Sequence, residues 1–173
     1  RLNEMISPGR KLPTSELEGF VEMVLGNQII PNIKLKRRVI NAGYSVGLFS
    51  NNNPLAVRIV SRKWPEVLQV SGNSPPIILS YQARALKPEP PMYKKVPTNK
   101  YDGVILIDGR ISCVRAGVEQ HGWLGIYYAG HIDSLEALRT ADDAKIATSS
   151  KNLLIANSPH ELEKVLNELG VKV

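Results

Sequence analysis

Two carboxylates, Asp102 and Asp108, bracket the apolar run Gly103-Val104-Ile105-Leu106-Ile107. Acids at strand ends can hold Mg²⁺ and serve metal-dependent nuclease or phosphoryl chemistry. Asp108 is followed by Gly109, however, and Asp-Gly between apolar runs is a strong hairpin signal, because both central residues of that turn favour positive φ. Turn chemistry therefore accounts for Asp108, and no Glu-x-Lys companion follows it. The other reactive residue types are dispersed. His121, His131 and His160 lack the spacing of a zinc site. Cys113, between Ser112 and Val114 in an expected strand, reads as a buried structural thiol rather than a nucleophile. Neither G-x-G-x-x-G nor G-x-x-x-x-G-K occurs, so no common phosphate loop is present. These residues point to a non-catalytic chain that takes no cofactor and no metal.

Charge is the stronger signal. The net charge is +6, and from Lys34 to Lys100 twelve bases stand against two acids, Glu66 and Glu89. From Asp133 onward there are five bases and seven acids. Positive charge confined to one region is the electrostatic footprint of a polyanion partner. The residues expected to form one RNA-binding surface are Lys34, Lys36, Arg37, Arg38, Arg58, Arg62, Lys63, Lys94, Lys95 and Lys100. Trp64, between Arg62-Lys63 and Pro65, is a candidate for stacking on bases, whereas Trp123, Tyr127 and Tyr128 are expected in the core.

The 173 residues suit one domain with a real core. One cysteine excludes an internal disulfide and favours a reducing compartment. No apolar run reaches the length of a membrane span, and a start at Arg1 suggests a piece of a larger protein.

Patterning divides the elements into three groups. Over residues 14–42, Ser15 and Glu18 fit a capping box, and Leu17, Phe20, Val21, Val24 and Leu25 recur at helical spacing up to Gly26-Asn27. A second helix is expected after Pro31, with Ile33, Leu35 and Val39-Ile40 inward and Lys34, Arg37 and Arg38 in water. Residues 43–54 read as a loop. Residues 55–115 read as β: "LAVRIV" alternates, "VLQV", "IILSY" and "GVILI" follow, and "RISCVRA" returns across Asp108-Gly109. The Pro-rich stretch 87–97 reads as an extended connector. Further on, "GWLGIYYAG" and "NLLIA" are strands, with a helix capped by Asp133 and Glu136 between them. A last helix opens at Ser158-Pro159-His160-Glu161 and presents Leu162, Val165, Leu166 and Leu169 on one face. The expected class is α+β, a helical cluster packed on a mostly antiparallel curved sheet, with a C-terminal helix.

Three collinear stretches carry a resemblance. "EMISPGRKLPTSELEGFVEMVL", with Gly19-Phe20-Val21 opening a helix, is the first, and "VLQVSGNSPPIILSY", two strands around Gly72-Asn73-Ser74-Pro75, is the second. The third runs from "GVEQHGWLGIYYAGHIDSLEALRTADDAKIA" to "NLLIA". Together they resemble the C-terminal host-range domain of the polymerase basic protein 2 subunit of orthomyxoviruses. The likeness implies a domain over residues 1–157, helical over residues 1–42 and sheet-forming over residues 55–157, followed by an amphipathic helix over 158–173. It implies a non-catalytic domain of a viral RNA-dependent RNA polymerase that supports replication and cap-snatching transcription in the host nucleus and is carried in the virion. The implied partners are viral RNA, the other polymerase subunits and nucleoprotein, and an acidic leucine-rich-repeat nuclear host protein. Tyr44 and Val46, apolar in a Gly/Asn-rich loop, are the expected host-factor contacts. The family's host-range lysine has no counterpart near Ser45 to Leu48, and the chain ends in the acidic-amphipathic helix Pro159 to Leu169, so the family's basic import segment is absent or lies beyond Val173; these departures place the resemblance with a distant genus. Two alternatives stand beside it, a stand-alone nucleic-acid-binding module and a metal-dependent nuclease built on Asp102 and Asp108.

Overall fold

The computed structural model describes residues 13, 16, 18, 19, 21, 22, 30–71, 76–130 and 150–173. Every ladder between its named strands is parallel, which corrects the expected antiparallel curved sheet; the mixture of helices and strands stands.

The described elements begin with α1 (Ile30–Asn41), β1 (Leu48–Ser50), α2 (Pro54–Lys63), the short α3 (Pro65–Leu68), β2 (Ile77–Leu79) and the short helical turns α4 (Ser80–Ala83) and α5 (Pro90–Tyr93). They continue with β3 (Ile105–Asp108), α6 (Ile111–His121), β4 (Leu124–Tyr128), β5 (Leu153–Ala156) and α7 (Pro159–Glu168). Two sheets result, β1 paired with β2 and β3 paired through β4 to β5. Parallel strands need a crossover on a sheet face, and α2 and α6 supply two of them.

Local chemistry explains each misread element. "LAVRIV" lies inside α2 because Asn53 Oδ1 accepts the Ala56 N–H at 2.9 Å and Pro54 takes the first helical position. Ala56, Ile59 and Val60 then fall on one buried side, a helical spacing that a six-residue window also fits as alternation. "VLQV" gives a helical turn at Pro65–Leu68 rather than a strand, and "IILSY" is a strand only as far as Leu79. The Asp108-Gly109 hairpin does not form. Asp108 Oδ1 accepts the Arg110 N–H at 2.8 Å, and "RISCVRA" becomes the first turns of α6, with Ile111, Val114 and Val118 packed inward. Gly122, at φ 68°, ends that helix. The expected loop 43–54 contains β1, and the expected connector 87–97 contains α5, whose Met92 and Tyr93 are fully buried.

Other expectations agree with the structure. The strands at Ile105, Leu124 and Leu153 are present, and α1 buries Leu35 while Lys34, Arg37 and Arg38 remain exposed. Ser158 Oγ accepts the Glu161 N–H at 3.1 Å, with Pro159 next to it, as the capping signature requires. Most of the first expected helix, residues 72–75 of the proline-closed turn, and the helix expected from Asp133 lie outside the described residues.

The three-stranded sheet is covered on both faces, as parallel sheets generally are. Leu35 of α1 and Leu162 and Leu166 of α7 meet Ile126, Tyr128 and Ala156 on one side. On the other, Ile111, Val114 and Val118 of α6 meet Tyr127 and Leu153. Gly125 sets the approach of α6. A Cβ there would stand 2.5 Å from Val114 Cγ1 and 2.6 Å from Val118 Cγ2, so only glycine admits the helix this close. Phe49 of β1 packs on the same face against the cluster of Leu106, Tyr93 and Trp123, which ties the two sheets together.

Candidate functional site at the ends of the parallel strands

In open parallel sheets, ligands bind in the crevice beyond the carboxyl ends of the strands, where the loops lead into helix N-termini. Here β1 ends at Ser50 and runs through Asn51-Asn52-Asn53 into α2, while β3 ends at Asp108 and runs through Gly109-Arg110 into α6. Lys87 joins these two ends. Its Nζ donates to the Phe49 carbonyl at 2.7 Å and to Asp108 Oδ2, and lies 5.0 Å from the Phe49 ring centroid. The Lys87 and Asp108 side chains are 7% and 13% exposed, so both charges have left most of their water. Burying an ion pair is costly unless its geometry and extra hydrogen bonds compensate. Those bonds are present: the Phe49 carbonyl for the ammonium, and the Arg110 N–H for the carboxylate.

The surrounding loops hold this lysine in place. Asn51 Oδ1 accepts the Lys87 N–H at 2.7 Å, and Asn51 Nδ2 donates to the Lys87 carbonyl at 2.9 Å. Ser80, at the end of β2, exchanges two bonds with the backbone of Asn52: its Oγ accepts the N–H at 3.0 Å and donates to the carbonyl at 2.9 Å. Ser50 is half-buried, and its hydroxyl makes no hydrogen bond to a described residue. A donor is thus left open beside a buried ammonium and two helix starts.

The β1 and β3 edges also matter. The Leu48 N–H bonds to the Pro76 carbonyl beside β2, so the alternate residue, Phe49, turns its backbone groups to the opposite edge. The Val104 carbonyl accepts from Leu124 beside β4, so Ile105 and Ile107 likewise face away from β4. No ladder joins β1 to β3 among the described residues, although Lys87 reaches the ends of both.

The structure separates the two acids considered for metal binding. Asp102 is exposed before β3 and Asp108 stands at its far end, so one metal cannot take both. Among the described residues no group of three or more His, Cys, Asp or Glu could hold a metal ion. Cys113 lies in α6 rather than in a strand. Burial and the nearby Asp108 raise its pKa above the ordinary thiol value, so it stays an inert core thiol. Burial likewise raises the Tyr93 phenol, which donates to the Cys113 carbonyl at 2.6 Å.

The ten cations expected to bind RNA do not share one fate. Lys36 Nζ caps the Glu66 and Val67 carbonyls at 2.9 and 3.0 Å. Arg38 forms a bidentate pair with Glu163, and Arg37 stands 3.8 Å from Glu66. Arg58, Arg62 and Lys63 pair with Glu18 and Glu22. Lys34, Lys94, Lys95 and Lys100 are exposed and make no ion pair to a described residue. Tyr44 donates to the Gly170 carbonyl at 2.9 Å, and Val46 forms an antiparallel bridge with Ser71. Trp123, Tyr127 and Tyr128 are buried, and Trp64 is half-buried.

Ser50, Asn51 and Lys87 escaped the sequence reading. Lys87 was visible only as one base among twelve, and Ser50 lay in what read as a loop. The readable signal was an apolar triplet ending in Ser-Asn ahead of a capped helix, the start of a parallel crossover. Compared with protein-family models, with curated proteins and with solved structures, the chain matches none.

Proposed function

We propose that the ends of β1 and β3 form a Mg²⁺-assisted binding site for a phosphorylated ligand. One observation carries this reading: the buried Lys87 ammonium sits at the ends of both strands, paired with Asp108. With the Asp108 carboxylate turned to Mg²⁺, the Lys87 ammonium and the two helix N-termini beside it suit a phosphate dianion. Ser50, whose hydroxyl makes no hydrogen bond among the described residues, is the short-range donor. Mg²⁺ needs only one or two carboxylates when phosphate oxygens and water complete its shell, and Asp108 supplies one.

This reading takes precedence over the polymerase-domain proposal, because among the described residues every ladder between named strands is parallel rather than antiparallel. It also takes precedence over a broad RNA surface, because five of the ten expected cations are already closely engaged by carboxylates or carbonyls. Calorimetric titration with inorganic phosphate, with and without Mg²⁺, tests it. Wild type should bind more tightly with Mg²⁺, and Asp108→Asn should lose that dependence. Ser50→Ala should weaken binding about tenfold, the effect of a hydrogen bond to a charged group. Phosphate affinity that ignores Mg²⁺, or that both variants leave unchanged, would overturn the reading.

A further inference from the structure

A second feature lies away from the strand ends, between α1 and α7. These helices enclose an open groove of about 650 Å³. Pro31 and Leu35 of α1 and Pro159 of α7 supply its apolar lining, while Lys34, Arg37 and His160 supply polar groups. Lys34 and Arg37 are three residues apart on a helix, so they point the same way and present two cations side by side. Lys34 has no ion pair to a described residue, and Arg37 has only a distant one. Arg38 and Glu163 also line the groove, but they neutralise each other through two hydrogen bonds. The start of α7 adds the positive end of a helix dipole.

We propose that this groove docks an acidic amphipathic peptide segment of a partner protein, with an apolar side chain against Pro31 and Pro159 and carboxylates toward Lys34 and Arg37. Charge complementarity selects the acidic class, and the apolar lining selects a peptide over a nucleic acid. The lining contains no Phe, Tyr or Trp on which bases would stack. The site is independent of Lys87 and Asp108.

The test uses the whole chain and a fluorescein-labelled peptide built of Glu and Leu, followed by fluorescence anisotropy. Its comparison probes are the same peptide with Leu replaced by Ser and a single-stranded oligonucleotide. The Glu/Leu peptide should bind saturably, and more tightly than either comparison probe. The double variant Lys34→Glu, Arg37→Glu changes exposed residues and should keep the wild-type circular dichroism. It should weaken peptide binding roughly tenfold, as expected when two rim attractions become repulsions. Equal peptide affinity in wild type and double variant would overturn the proposal. So would tighter binding of the oligonucleotide, or indifference to the Leu-to-Ser change.

Discussion

The Lys87–Asp108 pair and the Arg38–Glu163 pair are both lysine- or arginine-to-carboxylate contacts, yet they differ in nearly every physical respect. The first lies at the ends of two parallel strands with both side chains largely buried; the second bridges α1 and α7, with side chains 48% and 28% exposed. Water screens the outer pair, so its strength is small and salt-dependent. The inner pair has lost its water and depends on the fixed carbonyl and N–H around it. Counting charges along the sequence treats these pairs alike. Their position in the fold separates a solvated seam between helices from a dehydrated concentration of charge of the kind that functional sites hold.

The largest expected effect therefore falls on Lys87. Lys87→Ala should lower the free energy of unfolding by about 3–5 kcal/mol, because Asp108 is left buried without its partner. Urea unfolding followed by circular dichroism measures this. The double variant Lys87→Met, Asp108→Leu should recover most of the loss, since an apolar pair of similar size carries no desolvation cost. A Lys87→Ala protein as stable as wild type would mean that the ion pair is not buried in solution, and the contrast between the two pairs would collapse.

The legible and illegible regions of the chain divide on the same physical line. Elements with a strong local signal were readable: α7 from Ser158-Pro159 and its apolar face, α1 from Leu35 and its basic outer side, and the apolar runs of β3, β4 and β5. What failed was element type in short windows, and with it the relation between elements. Asp-Gly predicted a return hairpin, but the apolar spacing Ile111, Val114, Val118 continues beyond the window that looked like a strand and makes a helix. Once α6 is a helix, β4 must run parallel to β3, and the strand ends gather on one side. The site followed that error. Lys87 and Asp108 are 21 residues apart and Lys87 and Phe49 are 38, so no local pattern links them. The basic cluster was legible as composition, but its partners Glu18, Glu22 and Glu163 lie outside the counted stretch.

Lys36 lies between the two extremes and offers the next measurement. Its Nζ caps the last carbonyls of α3, and partial burial holds its pKa below the ordinary lysine value of 10.5. With the folded pKa below the unfolded one, the unfolded chain binds more protons at this residue. Its contribution to stability therefore rises as pH climbs through the interval between the folded pKa and 10.5. Lys36→Met should flatten that rise. At neutral pH it should cost about 1 kcal/mol, less than a full hydrogen bond to a charged group because the ammonium's desolvation is relieved. Urea unfolding at neutral and alkaline pH reads both effects, and a variant with an unchanged alkaline slope would remove Lys36 from this gradient.

The smallest effect belongs to Arg38 and Glu163. The hydrogen bonds from Arg38 hold the Glu163 carboxyl below its ordinary value of 4.5. A carboxylate whose folded pKa is depressed contributes stability that is present above the unfolded value and lost as pH falls through the folded one. The pair should therefore matter only above that acid window, and only weakly, since both groups sit in water. In Arg38→Ala, the Glu163 carboxyl carbon, followed by NMR across an acid titration, should return to the ordinary range. The unfolding midpoint at neutral pH should move less than in either lysine variant, and that movement should vanish near roughly 1 M salt, where the screening length is only about 3 Å. A salt-resistant loss as large as that of Lys87→Ala would show that the α1–α7 seam excludes water as the strand ends do. It would also close the groove beside it to a peptide, because Glu163 and Arg38 would then be packed against protein rather than lining an open wall.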